Sequence, residues 1–549
     1  MLGHTDTIFR PAVASGPGVT VALPFLPTTA DVNSYQSSGY VTEVAALTLP
    51  SVYLVDPYGN VALDTDLMHG VAFFADPQKV VYQLNPDATW SDGVPVSCDD
   101  FYLAWLANAS TATDPKDKAS SVYSTYQNTL YAQADPPKCS DGGSTVTVTF
   151  NTPTPDWQTL FQGLLPAHIV TAKAGVDNVT SIGKDDTGGA AVKLGRVYAD
   201  TFGTLDPTTS VSAGPYVITT SSSSEILLDR NPTWWGNPAG PDSIRLIPTD
   251  QDSTALQAVR NGEADATSLT SQDPSIADSL HSVSDLTRSN QTWPVTEHLE
   301  FNMRGKEFTS KAGKALRQAV FSCIDRSAIV KQVARPLNPD AEVLGNMLVA
   351  PWDDAYTDHY RDYHGADVAK AKKLLQQAGW TLGKDGVFAQ GKTKAAFTLG
   401  VLHKASRTMI GKLIQQTCKQ AGIDVKVADI EAANLYEGKF QVALFGWSAP
   451  VVQADFGYTY ASKSSGNTNG YSNAKVDALF ADIAANVKPH NDSDRLNKID
   501  QLMAADQAFI PLYDWTAINL QSGDIRTTVT NNYFWGGEVW DAYAWTVTG

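Results

Sequence analysis

No stretch of this 549-residue chain approaches the roughly 18 consecutive apolar residues that a membrane-crossing helix needs. The opening Met1–Leu2–Gly3–His4 has neither a basic n-region nor an apolar h-region, as expected of a cytoplasmic protein or of an exported one in mature form. Positive charge is in deficit. Forty Lys and Arg stand against 58 Asp and Glu, and the net charge of −18 argues against a nucleic-acid partner, whose phosphates call for clustered basic residues. Cysteine is scarce, four in all, with no C-x-x-C and no Cys/His spacing of a zinc site. His359 and His364 lie among carboxylates in PWDDAYTDHYRDYHGAD, which reads as a solvated loop leading into a helix rather than as a cation site. Absent too are G-x-S-x-G, H-E-x-x-H, a Walker loop and a strand–GxGxxG–helix, so no catalytic residue, metal or cofactor is assigned.

What the chain does have is enough apolar material for two or three lobes: 43% hydrophobic residues with 18% charged. Thirteen Trp and 21 Tyr offer rigid amphipathic surfaces, most of which fill cores while a few can face a ligand. Val19 to Pro24 reads as a strand, and after a polar loop a helix-like stretch runs to Tyr53. Ser97 and Asp100 form a near capping box for a helix whose apolar face is Phe101, Ala104, Trp105 and Ala109. Thr145 to Phe150 alternates as a strand. Asp156 to Val170 reads as a helix ending near Pro166, and residues 175–210, rich in Gly, Asp and Thr, as loop. From about residue 290 helices and strands alternate, with helices over Lys314–Ile324, Asp367–Ala378 and Met409–Gln420. Val442 to Phe445 is a continuous apolar run, the pattern of a strand covered on both faces. It opens into Gly446–Trp447, and Ile510–Pro511–Leu512–Tyr513 follows two helix-like segments later.

Several blocks, in order, resemble those of family 5 extracellular solute-binding proteins, the oligopeptide/dipeptide-binding receptors of ABC importers. They are WSDGVPVSCDDFYLAW (90–105), SAGPYVI (212–218), LLDRNPTWWG (227–236), AVRNGEADA (258–266), LRQAVFSCIDRSAIV (316–330), AKKLLQQAGW (371–380) and GYSNAKVDALF (470–480). With FGWSAP and IPLY, the resemblance spans roughly residues 19–549. It implies an α/β, bilobal periplasmic-binding-protein-like fold (type II, three-domain cluster C) with a hinge between the lobes. The implied division is 1–53 and 201–289 as parts of the N-terminal lobe, 54–200 as an insert, 290–513 as the second α/β lobe, and 514–549 as a return to the first. No enzymatic activity is implied.

The same resemblance makes Gly446, Trp447, Ser448 and Tyr513, with Tyr35 and Tyr126 from the other side, the expected ligand-binding residues. A glycine permits close backbone approach and a tryptophan a stacking wall. One position departs from the peptide binders: where they carry an aspartate for the ligand's α-ammonium, this chain has Pro450, with neither charge nor N–H. The expected partners are therefore a peptide or other small-molecule ligand and an ABC transporter permease. A second reading keeps the fold and makes the ligand a glycolipid or oligosaccharide in a regulatory role, and a third places a hydrolase on the scaffold. An extracytoplasmic, envelope-attached monomer is expected, touching the membrane only through an N-terminal lipid anchor. In such an oxidising compartment Cys98 and Cys139 should be bridged. Cys323 and Cys418, each on an apolar helix stripe, fit either a second bridge or two buried thiols.

Overall fold

The apolar run before Gly446–Trp447 lies inside a ten-stranded sheet that passes through both lobes. The computed structural model describes residues 7–8, 16–35, 37, 40–114, 117–126, 129–281, 283, 285–488 and 492–548. Met1–His4 lie outside the described residues. In chain order the strands of this sheet are β1 (Val19–Leu23), β2 (Tyr216–Ser221), β3 (Ile226–Arg230), β4 (Ser243–Pro248) and β5 (Ala266–Leu269). Then come β6 (Thr287–Phe301), β7 (Ala396–Val401), β8 (Asp424–Asp429), β9 (Val442–Ser448) and β10 (Phe509–Gln521). Their spatial order is β2-β3-β4-β1-β5-β10-β6-β9-β7-β8. Val442 to Phe445 are buried because β9 is flanked by β6 on one edge and β7 on the other, with both faces covered.

Two strands carry the connection between the lobes. β6 and β10 pair antiparallel from Thr287↔Gln521 to Glu300↔Phe509. At one end β10 continues onto β5, and at the other β6 continues onto β9. Their ladder loses register between Trp293 and Thr296 and again between Glu297 and His298. Pro294 sits in the first break, where a residue without an N–H costs no ladder bond. The irregularities fall midway along the pair, where a pivot between two rigid sheet halves belongs.

Three cores result. One packs Leu299, Phe301, Leu316, Val320, Ile414, Leu444 and Leu512 in the second lobe. A second surrounds the fully buried Trp90, Trp105 and Trp157, against a four-stranded antiparallel sheet formed by Met68–Ala75, Gln78–Leu84, Thr145–Thr149 and Lys138–Ser140. The third gathers Val19, Val21, Tyr216, Leu228 and Leu246 around Val539, Trp545 and Val547 from the end of the chain. The capping box at Ser97/Asp100 forms, and Asp100 also accepts from the Ala167 amide (2.8 Å) and the Trp90 indole (3.3 Å). Both cysteine pairs are bridged: Cys98–Cys139 ties the helix Cys98–Ala109 to an edge strand, and Cys323–Cys418 ties two buried helices, with Cα atoms 4.9 Å apart.

Three local expectations fail for identifiable reasons. The first helix, Val41–Thr48, stops well before Tyr53, because Leu49 precedes Pro50 and takes the extended conformation that proline imposes on its neighbour. Asp156–Val170 is not one helix. A 3-10 turn at Trp157–Thr159 gives way to positive φ at Phe161 and Gly163, and a separate helix, Ala167–Ala174, begins after Pro166. Gly163 takes a left-handed φ of 61° that favours glycine, and a β-carbon there would press on the Trp535 ring at 3.3 Å. Residues 175–210, expected to be loop, contain the helix Gly189–Phe202. The Gly, Asp and Thr residues flanking it conceal the stripe Ala191, Leu194, Tyr198 and Phe202, which is buried, and the Tyr198 hydroxyl donates to the buried Asp31 (2.9 Å).

Buried carboxylates recur through this acidic chain. Glu43 and Glu538 are both buried; burial first, then the charge of Glu538, pushes Glu43 well up, while burial pushes Glu538 to about 7. Asp31, Asp100 and Asp541 are each pushed by burial to about 6. These groups hold protons in the fold and ionise at ordinary carboxylate values, such as 4.5 for glutamate, when unfolded. Their contribution is therefore complete below the unfolded values, 3.8 for aspartate and 4.5 for glutamate, and is lost as the pH rises through about 6 for the aspartates and about 7 for Glu538. Thermal melts should show a higher midpoint at pH 5.5 than at pH 8. Glu538→Gln should flatten that slope, restoring roughly 1–3 kcal/mol at pH 8. A variant with the wild-type slope would remove Glu538 from the account.

Candidate functional site

The middle of the β6/β10 pair is organised by a buried ion pair. Glu297, opposite Gly446 and Tyr513 in register, receives both Nε (2.6 Å) and Nη2 (3.0 Å) of Arg407, and the Trp515 indole donates to it at 2.9 Å. A bidentate guanidinium–carboxylate pair with a third donor is the geometry in which burying two charges is offset. The Lys404 ammonium rests 3.9 Å from the centroid of the Trp515 ring. At Gly446 a β-carbon would come within 2.9 Å of Val295 Cγ1 and 3.3 Å of Trp515 Cζ2, so glycine is what lets β9 pass against the hinge strands.

Next along β9, the Trp447 indole donates to Glu300 (3.2 Å), which also takes the Thr468 hydroxyl (2.9 Å) and contacts His298 Nε2 at 3.2 Å. This fixed ring and Ser448 line a small cavity with Thr296, Met347, Phe456 and Tyr460. Beside it is a larger cavity of about 130 Å³, bounded by both lobes. Tyr58, Gly59 and Phe534 close one side. Met347, Trp352, Asp353 and the segment from Ala449 through Pro450 to Val451 close the other, and Pro294, Thr296 and Asp514 from the hinge strands form the floor. Asp514 accepts from the Thr296 hydroxyl (2.7 Å), and burial pushes its carboxyl up to about 7. Asp353 accepts from the Ala355 amide (2.8 Å) and the Ser493 hydroxyl (2.5 Å). Among the described residues lining this cavity there is no Lys, Arg or His.

The lobes touch around this cavity. Tyr58 meets Trp352 edge-to-face, ring centroids 5.9 Å apart, and the Trp157 indole donates to the Val487 carbonyl at 3.2 Å. Next to Trp157, the buried Asp156 has one carboxylate oxygen without a hydrogen-bond partner; burial first, then Asp455 in the opposite lobe, pushes its carboxyl up to about 7.

The residues put forward from the sequence separate into three groups. Trp447 and Ser448 line the small cavity, and Gly446 packs behind them on the hinge. Tyr513 is buried in the second-lobe core, its hydroxyl unpartnered and its phenol pushed up by burial and by Glu297. Tyr35 and Tyr126 form an exposed edge-to-face pair 4.7 Å apart, outside the lining of both cavities. Sequence reasoning passed over Asp514, Thr296, Trp352, Tyr58 and Phe534. For Asp514 strand alternation is no guide from sequence alone: with Tyr513 expected to face the ligand it turns Asp514 away, and only the burial of Tyr513 in the core reverses that. His364 Nε2 lies 2.8 Å from Asp358, and among the described residues no group of three or more His, Cys, Asp or Glu could hold a metal ion.

The model of the bacterial extracellular solute-binding proteins, family 5, matches residues 73–469. The oligopeptide-binding protein OppA of Mycobacterium tuberculosis is 26% identical over 497 residues, covering 87% of this chain and 77% of OppA. An uncharacterized lipoprotein of the same organism is 24% identical over 516 residues, covering 89% and 86%. Among solved structures, the periplasmic EDTA-binding protein EppA superposes with a TM-score of 0.79 at 22% identity, covering 100% of this chain and 99% of that one, a likeness of fold.

The Asp156 carboxyl, raised to about 7 by burial first and then by Asp455, repels the Asp455 carboxylate once its proton leaves, so approach of the two segments is favoured below that pH and opposed above it. Asp156→Asn should shift the lobes toward the closed form at pH 8, read as a smaller radius of gyration in small-angle scattering. The wild type should contract on going from pH 8 to 5.5. An unchanged radius in both experiments would contradict this.

Proposed function

The chain belongs to the bacterial extracellular solute-binding proteins of family 5, and on that premise we propose that it captures a peptide or peptide-like solute between its lobes and delivers it to the permease of an ABC importer. The observation that carries this reading is the cavity at the hinge, lined by both lobes and floored by the strands that join them. Solute enters between parted lobes, and closure about β6 and β10 removes it from water. Preorganised polar groups are worth more in the dry cleft, and the closed form is what the permease would engage. Trp447, with its N–H held by Glu300, and Ser448 supply a fixed wall; Gly446 allows the close approach behind them. Tyr513 backs the hinge from the core, and Tyr35 with Tyr126 forms an aromatic step at the surface. No catalytic step is part of this reading.

In this scheme residues 54–200 form an insert in a first lobe built from 1–53, 201–289 and 514–549, and 290–513 form the second. The similarity to OppA supports a peptide as solute, and the lipoprotein relative supports an extracytoplasmic, envelope-attached location. The acidic lining also favours a peptide over a phosphate-bearing glycolipid, which would meet Asp353 and Asp514 with no cation to pair its charge.

Mass spectrometry of solute released from the purified protein should yield peptides; lipids or glycans alone would sink the reading. Trp447→Ala should weaken binding of the released solute more than tenfold, about 1.4 kcal/mol, by calorimetric titration. Unchanged affinity would take Trp447 out of the site.

A further inference from the structure

Two carboxylates line the inter-lobe cavity, and they are not equivalent. Asp353 is satisfied within its own lobe, accepting from the Ala355 amide on one oxygen and the Ser493 hydroxyl on the other. Asp514, on a hinge strand at the cavity floor, has the Thr296 hydroxyl on one oxygen and, among the described residues, no donor to the second. The basic residues beside Trp515, the next residue on the strand, are already committed elsewhere. Arg407 is held bidentate by Glu297, and Lys404 lies over Trp515. A partly buried carboxylate with one donor is short of a counter-charge, and the low dielectric of a closed cleft magnifies the deficit.

The walls complete the chemistry. Tyr58, Trp352 and Phe534 present aromatic rings to the same space, and a cation gains from ring faces as well as from a carboxylate. An anionic or phosphate group would meet two acids there. Pro450, in the opposite wall, offers neither charge nor N–H. We propose that Asp514 is the anchor for a primary ammonium of the captured solute, forming a charge-assisted hydrogen bond on the hinge strand rather than in the Gly-Trp loop. This rests on the inter-lobe capture proposed above. It adds that the solute is selected by a free amine and that the amine is held at the pivot, where both lobes close on it.

The test uses a tryptic peptide digest as probe, offered either untreated or with every amine acetylated, and native mass spectrometry of the full chain to read what is bound. The wild type should retain peptides from the untreated digest at least tenfold more than from the acetylated one, and Asp514→Asn should lose that preference while keeping its melting temperature. Equal retention of both digests by the wild type, or an undiminished preference in a folded Asp514→Asn, would overturn the anchor while leaving peptide capture standing. If the wild type takes up neither digest, the solute it carries from purification decides. An amine-bearing, non-peptide solute absent from Asp514→Asn would keep the anchor and overturn the peptide reading. A solute without an amine would overturn both. The acetylation arm on the wild type needs no variant, so a failure of Asp514→Asn to fold leaves the proposal falsifiable.

Discussion

Everything in this molecule that moves or binds is referred to the antiparallel pairing of β6 and β10. Two long strands belong to both halves of one sheet, and their ladder is continuous except where Pro294 and the neighbouring register breaks interrupt it. On the second-lobe side the pair is fastened by Glu297, on one hinge strand, which holds Arg407 from the helix Ala405–Gln420 and Trp515 from the other hinge strand. Removing one partner of such a pair would leave a buried charge uncompensated, a cost of about 3–5 kcal/mol. The ion pair thus makes the two strands part of the second lobe's rigid body. Freedom to bend is left to the irregular stretch beside it, and the cavity forms there.

The same arrangement explains how a chain with net charge −18 presents a cleft with few charges. Basic side chains near the hinge are consumed by internal partners, and the acids that line the cavity differ in how much acceptor capacity they have left. Elsewhere, carboxylates are buried without cations: Glu43 with Glu538, and Asp156 facing Asp455 between the lobes. Protons stand in for counter-ions at these places, which couples stability to pH over the range where those protons leave.

Much of the architecture was legible because it depends on neighbours in sequence. Val442–Phe445 announced a strand covered on both faces, Ser97 and Asp100 a helix start, and Phe101 with Trp105 the buried face of that helix. Where the reading failed, a polar composition or a backbone requirement prevailed over local pattern. The helix Gly189–Phe202 hides among Gly and Asp residues and is held by a stripe that needs the rest of the insert to bury it. The helix expected across Asp156–Val170 is broken by positive φ at Phe161 and Gly163. At the site, Trp447 and Ser448 were visible through the Gly-Trp block; Asp514 and Trp352 were not, since nothing in their own segments says which cavity they share.

The sequence by itself determined the family, several of the strands and helices and the order of the family blocks, since periodicity, caps and turn residues act over a few positions and keep their order. Only the tertiary structure decided which polar groups meet. Thr296 and Asp514 are 218 residues apart, Glu297 and Arg407 110, and Trp157 and Val487 330. Pairings of that span are set by how the sheet assembles and how the lobes close, and the burial that gives each its energy does not exist until they do.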